Sequence, residues 1–262
     1  MGEKKPISIL TDQDAAMRVA VEIEYPEARH RICSWHLERN AMQHTHKPGF
    51  ASEFGFLISR RLSVEEFEIA WCELVEKHGV ANHRWVADVY GKKEAWSEAY
   101  FRGHFMAFMT STQRSESMNA LLKLSLKPTC KLVEFMREYH NSLYKIRLVF
   151  FEKQHDSETS TPSVRSRGLK SLKKHAARIY TKELFAKVWD EFEKEQNIVM
   201  EEYLNEDNCH LTLKFGNCEK VNDRQCVVNI DCEQSIFQCE CLKLESDGII
   251  CCHLMLHSSV FD

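Results

Sequence analysis

The chain has 262 residues, 44% of them hydrophobic and 28% charged, and a formal net charge of −4. That composition belongs to a folded soluble protein and excludes a disordered chain; the near-balanced charge neither marks nor excludes a nucleic-acid binder, since a local patch can hold phosphate on an acidic protein. No stretch has the apolar length to cross a bilayer, and the opening MGEKKPISILTDQD lacks the hydrophobic region of a signal peptide, so an intracellular, reducing setting with no membrane partner is expected.

Pro6 to Leu10 reads as a strand ending at Thr11-Asp12, and Ala15, Ala16, Val19, Ala20 and Ile23 recur at helical spacing up to Pro26. A second strand around His30 to Cys33 and a second helix from Trp35 to His44 follow, giving the strand, helix, strand, helix order of an α/β layer. Asp12, at a strand end, is either a site carboxylate or a cap for the next helix. Cys33-x-x-His36 is half a metal site or a packed helix entry. The chain then turns helical, with Ser63-x-x-Glu66 as a capping box ahead of Phe67, Ala70, Trp71, Leu74 and Val75. Glu116 opens the apolar run Met118, Leu121, Leu122, where a first-turn carboxylate favoured by the helix dipole is the plainer reading. Helical patterns recur from Lys131 to about Glu152 and from Lys182 to about Leu204, with the polar run Asp156 to Ser163 between them as a linker.

The run VRSRGLKSLKKHAARIYTK carries Arg165, Arg167, Lys170, Lys173, Lys174, Arg178 and Lys182 without a carboxylate. Leu169, Leu172, Ala176 and Ile179 recur within it, so the basic residues are expected on the outer face of an amphipathic helix. Such a face suits a nucleic-acid backbone or a nuclear-import signal, and equally a solvated surface.

After Asn208 the texture becomes short β-rich pieces, Leu211 to Leu213 and Cys226 to Ile230, and eight of the eleven cysteines lie from Cys209 onward. In FQCECLKLESDGIICCHLMLH, Cys239 and Cys241 sit on alternate positions of a short strand. Gly248 allows a reversal, and Cys251 and His253 follow at the start of an apolar turn. Three thiols and an imidazole fill the tetrahedral positions of one Zn²⁺ and leave none for water, so a structural site is expected. Phe237, Ile249 and Leu254 are expected to pack beside it, Cys252 to point away, and His257 to stand in the helix or behind the ligands. Buried thiols are the alternative; a disulfide framework fits poorly with the chain's length and odd cysteine count.

ILTDQDAAMRVAVEIEYPEARHRICSWHLERNA resembles the second conserved block of Mutator-like transposases, and more specifically of the plant far-red-impaired-response family of transcription regulators derived from them. MTSTQRSESMNALLK and LVEFMREYHNSL resemble that family's third block and following helix, AARIYTKELFAKVWDEF a later helix, and CECLKLESDGIICCH its SWIM zinc motif. The matches run in order over nearly the whole chain. The resemblance implies α/β plus α architecture: an incomplete ribonuclease-H-like transposase domain with a helical insertion over 1–155, a linker and basic helical region over 156–208, and a SWIM zinc module over 209–262. It places Asp12 and Glu116 at the second and third acidic positions of a two-metal catalytic triad. The first acid has no counterpart, and neither has the family's amino-terminal zinc domain, so a truncated or partial member without catalysis is expected. Its incomplete sheet would leave an unprotected edge.

The expected function follows from that resemblance. It is a zinc-binding nuclear protein acting in transcription regulation, with light-responsive development as the family's theme. Its expected partners are a full-length relative or another transcription regulator, with a weak duplex-DNA contact and no small-molecule substrate. A residual metal-dependent transposase or nuclease and a scaffold without nucleic-acid binding are the competing readings.

Overall fold

The computed structural model of the chain describes residues 4–125, 129–164, 168–207, 210–217, 226–231, 233–234 and 236–260, and the side chains of 125, 202–211, 217 and 257–260 are outside that description. The chain divides into two units, Met1–Ser117 with Glu245–Gly248, and Met118–Leu244 with Ile249–Asp262.

In the first unit, strand β1 (Ser8–Thr11) leads into helix α1 (Ala15–Glu24), and the chain returns as β2 (Arg29–Ile32), parallel to β1 with Ser8 opposite Arg29 and Thr11 opposite Ile32. A parallel pair needs such a crossover. The cap of α1 is Asp14, whose side chain accepts from Met17 N at 2.8 Å, while Asp12 Oδ1 accepts from Asp14 N at 3.2 Å. Four helices follow: α2 (Ser34–Thr45), α3 (Phe50–Ser59), α4 (Val64–Lys77) and α5 (Arg84–Tyr90). The expected capping box at α4 is present, with Ser63 and Glu66 satisfying each other's backbone N–H groups. Gly49 makes the turn into α3 with a φ of 80°, a left-handed conformation open to glycine at little cost.

The helical core is aromatic. Trp96 is fully buried, donates to Val89 O at 2.9 Å, and meets Phe54 and Phe67 edge-on at ring distances of 5.3 and 5.6 Å. A second, polar anchor is Arg31, which is 1% exposed, pairs with Glu98 at 2.7 Å and lies over the Phe101 ring. Removing one partner of such a buried pair costs more than the pair contributes, because the other charge stays desolvated.

In the second unit, α6 (Gln113–Ser125), which begins in the first, and α7 (Leu132–Thr159) precede α8 (Lys170–Ile179) and α9 (Lys182–Glu195). Two local expectations are corrected here. Asp156 to Thr159 is helix rather than linker, because its polar side chains bond back one turn: Thr159 Oγ1 to His155 O and Ser160 Oγ to Asp156 O, both at 2.7 Å. And α9 ends at Glu195 instead of running to Leu204, because Ile198–Asp207 forms strand β3 and pairs with β4 (His210–Asn217). Propensity gave way to ladder pairing. The antiparallel sheet continues with β5 (Cys226–Asp231) and β6 (Ile236–Cys239) in the order β3-β4-β5-β6, followed by α10 (Lys243–Asp247) and α11 (Cys252–Val260). The whole is mixed α/β plus α: a small parallel sheet, a long helical stretch, and an antiparallel sheet with a Cys₃His cluster. That order matches a ribonuclease-H-like core with a helical insertion followed by a small zinc module.

The first unit yields a pH prediction. Glu68 accepts from Lys93 at 2.5 Å, from Tyr100 at 2.9 Å and from Tyr90. Partial burial disfavours its charge, but the bonds from Lys93, Tyr90 and Tyr100 outweigh it and hold the carboxyl below its ordinary value. A depressed carboxylate contributes stability that is complete above its unfolded pKa, 4.5, and is lost as pH falls through the lower folded value. Urea unfolding followed by tryptophan fluorescence should show Glu68→Gln costing about 1 kcal/mol at neutral pH, after allowance for solvent screening, and the difference closing below about pH 4.

Candidate metal centre

The register of β5 and β6 brings the tail cysteines together. Val228 lies opposite Cys239, and Glu240 N donates to Val227 O at 2.8 Å, so the ladder continues past the end of β6 and Cys226 comes opposite Cys241. Opposed residues and their neighbours two positions away share a face. Cys226, Cys239 and Cys241 therefore project together, and α11 adds His253. The Sγ atoms stand 3.4 Å apart for Cys226–Cys239 and 3.2 Å for Cys239–Cys241, with His253 Nδ1 3.6 Å from Cys239 Sγ. All four ligand atoms lie within 4.8 Å of one another.

A zinc ion held at about 2.3 Å by sulfur and about 2.0 Å by nitrogen in a tetrahedron has ligand–ligand edges of about 3.5–3.8 Å, close to these separations. The donor set fits zinc in kind as well, with thiols for a borderline-soft ion and one imidazole. These residues would hold the ion in a closed site, whose chemistry would be to fasten strands and helix rather than to activate water. Hydrogen bonds from Cys226, Cys239 and Cys251 hold the Cys241 thiol below its ordinary value, while Cys239, bonded to Cys226, Cys241 and Cys251, is pushed up. Burial lowers the His253 pKa, but bonds to Cys226, Cys241 and Cys251 outweigh it and raise the pKa. Metal uptake would displace protons from such a cluster.

The residues taken from sequence fall into place as follows. Cys239, Cys241 and His253 are in the four-donor group, whose fourth member is Cys226; Cys251, expected as the fourth ligand, is 1% exposed and lies outside that group. Cys226 was absent from the sequence reasoning, although the alternation in CVVNI places it on the same face as Val228 and Ile230. Cys252 is buried outside the group; burial pushes its thiol up to about 12, and its backbone N–H donates to Glu191 Oε2 at 3.2 Å. Ile249 and Leu254 are buried, but Phe237 is 45% exposed, a correction to its expected place beside the metal: it shares strand parity with Cys239, yet Ile236, Phe237 and Gln238 are all exposed and only Cys239 at the end of β6 is buried. Gly248 has a φ of 75°, and a Cβ there would stand 3.1 Å from the Phe105 ring. His257 lies in α11, with its side chain outside the described residues.

Glu191 ties α9 to this module. Its carboxylate, 3% exposed, accepts from Lys194 at 2.7 Å and Lys243 at 2.9 Å as well as from Cys252 N. Burial works against its charge, yet Lys194 and Lys243 hold its pKa below the ordinary value.

The remaining expectations concern the acids and the basic helix. Glu116 Oε1 lies 3.4 Å from His36 Nε2 and accepts from Thr112 Oγ1 at 3.2 Å. Cys33 is fully buried and its sulfur accepts from Thr112 N at 3.3 Å, while His36 packs edge-on against Trp35. Among the described residues, neither Asp12 nor Glu116 joins a group of three metal donors. On α8, Lys170, Lys174 and Arg178 are exposed at four-residue spacing, one stripe of the helix. Lys173 corrects the outward basic face: it is 2% exposed, its ammonium 5.3 Å from the Phe192 ring centre and 5.6 Å from that of Trp189. Helical spacing turns it to the side of Ala176 and Ala177. Arg165 and Arg167 lie outside the described residues.

Comparison with known proteins agrees with this architecture. The MULE transposase domain matches residues 1–40. Across 97% of its length the chain is 28% identical to Protein FAR1-RELATED SEQUENCE 5 of Arabidopsis thaliana, covering 32% of that protein. It is 28% identical over 98% of its length to Protein FAR-RED IMPAIRED RESPONSE 1 of the same plant, covering 31%, and 26% identical to Protein FAR1-RELATED SEQUENCE 11, covering 37%. The chain thus spans about a third of the length of these relatives. No solved structure matches. The similarity links the chain, at the level of the family, to FAR1-related proteins derived from MULE transposases.

Two outcomes are expected. Elemental analysis should give one zinc per chain, lost in Cys239→Ser and His253→Ala and kept in Cys252→Ser. Glu191→Ala should destabilise the second unit by about 3–5 kcal/mol in chemical denaturation, since two lysines and one buried N–H lose their acceptor, whereas Lys174→Ala on the exposed stripe should change stability by less than about 0.5 kcal/mol.

Proposed function

We propose that the chain is a zinc-stabilised, transposase-derived nuclear protein that acts in the regulation of transcription and does not cut DNA. The observation that carries this reading is the similarity to FAR1-related proteins over 97–98% of the chain, one of them named for an impaired far-red response. Far-red-responsive development is accordingly the setting proposed. The domain reading belongs to the proposal as well: a transposase-like part over 1–155, a basic helical region over 156–208 and a zinc module over 209–262.

The carboxylates support the non-catalytic reading. Two-metal phosphoryl transfer needs several carboxylates converging on a pair of ions about 3.5–4 Å apart. Asp12 bonds to the turn before α1, and Glu116 is engaged by Thr112 and His36. Each has a local role that needs no metal.

Contact with nucleic acid falls to the stripe Lys170, Lys174 and Arg178, with Arg165 and Arg167 preceding it in sequence. Three cations on one helix face neutralise backbone phosphates without reading bases, so binding is weak and indifferent to sequence. Specific recruitment then belongs to a partner, a full-length relative or another transcription regulator.

The test is a salt titration of duplex-DNA binding by the full chain, alongside a cleavage assay in Mg²⁺ or Mn²⁺. The slope of log affinity against log salt should fall by about 2 to 3 in the triple variant Lys170→Gln, Lys174→Gln, Arg178→Gln. No cleavage is expected. Metal-dependent cutting that disappears in Asp12→Asn and Glu116→Gln would overturn the non-enzyme reading, and an unaltered slope together with unchanged chromatin association would favour a scaffold without nucleic-acid contact.

A further inference from the structure

We infer that Cys226, which lies outside the Cys-x-Cys and Cys-x-His pairs, is a ligand of the metal and shares the fourth position with Cys251, so that five donors serve one ion. The inference rests on the zinc reading above and deepens it. Three observations carry it. The β5–β6 ladder sets Cys226 opposite Cys241 and on the same face as Cys239, so regular strand geometry, with no loop adjustment, aims its sulfur at the site. Its Sγ is 3.4 Å from that of Cys239, and it belongs to the group of four donors within 4.8 Å of one another. Cys251, on the segment leading into α11, is buried in the same core cluster as Cys226 and Cys239, and the Cys-x-His spacing offers it for the same position.

Cys226 and Cys251 therefore each complete a Cys₃His set with the same three partners. A structural zinc takes four ligands, and its filled d shell imposes no directional preference between two candidate sulfurs. The thiol left out keeps a place against the coordinated sulfurs, where outer hydrogen bonds tune ligand basicity. The consequence is a redundancy that the linear motif does not contain. Loss of Cys251 leaves a complete donor set, whereas loss of Cys239, Cys241 or His253 leaves neither set complete.

The experiment uses the full chain and Zn²⁺ or Co²⁺ as the probe, comparing the unaltered protein with Cys226→Ser, Cys251→Ser, the double variant and Cys239→Ser. One zinc should remain bound in each of the first two variants, its affinity in chelator competition weakened about 10- to 100-fold. The double variant and Cys239→Ser should lose it. With cobalt, the sulfur-to-metal charge-transfer band should report three thiolates in the unaltered chain and in both single variants, and be absent from the double variant. Loss of metal from Cys251→Ser equal to that from Cys239→Ser, with Cys226→Ser unaffected, would overturn the inference and leave the zinc reading standing. An unaltered chain that takes up no metal would overturn both. Should a serine variant fail to fold, alkylation of the unaltered chain decides instead: zinc should protect Cys226 as well as it protects Cys239 and better than it protects Cys252, and protection no better than that of Cys252 overturns the assignment.

Discussion

The second unit depends on the antiparallel register that places Val228 opposite Cys239. From that pairing follow the common face of Cys226, Cys239 and Cys241, the approach of His253 from α11, and the small apolar core in which Leu213, Phe215, Val228, Ile230 and Leu254 surround the sulfurs. A one-residue slip of β6 against β5 would turn Cys239 and Cys241 away from the face that carries Cys226 and scatter the donor set. A core of this size has little apolar area to offset chain entropy, and metal binding would supply folding free energy. Glu191 completes the arrangement from α9, accepting the backbone N–H of Cys252 and two lysine ammoniums in one buried carboxylate.

The first unit is held by different means. Its stability comes from an aromatic cluster centred on Trp96 and from the buried pair of Arg31 and Glu98, neither of which involves the acidic positions Asp12 and Glu116. The β1–α1–β2 crossover and the helical stretch after it therefore stand without any demand that carboxylates converge. A transposase scaffold can keep its packing while its acids take up local hydrogen bonds, and that separation of fold from chemistry is the physical basis of the regulatory reading proposed above.

Legibility followed the range of the interactions. The capping box Ser63–Glu66, the β1–α1–β2 order and the helical patterns of α2 and α4 were readable because each depends on neighbours within a few residues. Where sequence reasoning missed, a longer-range partner decided. Ile198–Asp207 became a strand because β4 offers a ladder, Lys173 turned inward because Trp189 and Phe192 offer aromatic faces, and Phe237 is exposed together with Ile236 and Gln238. The polar run after Asp156 stayed helical through bonds within one turn, a local effect that composition alone obscured.

The sequence by itself determined the chemistry open to the tail: three thiols and an imidazole, spaced within a strand and at a helix start, suit a closed zinc site because ligand type and number are properties of the residues themselves. It also determined the order of the conserved blocks, and with it the resemblance to transposase-derived regulators. Only the tertiary structure decided that Cys226 stands in the candidate donor group, and that Lys170, Lys174 and Arg178 form the exposed basic stripe without Lys173. Strand register and helix packing join residues far apart in the chain, and neither is written in the spacing of any one motif.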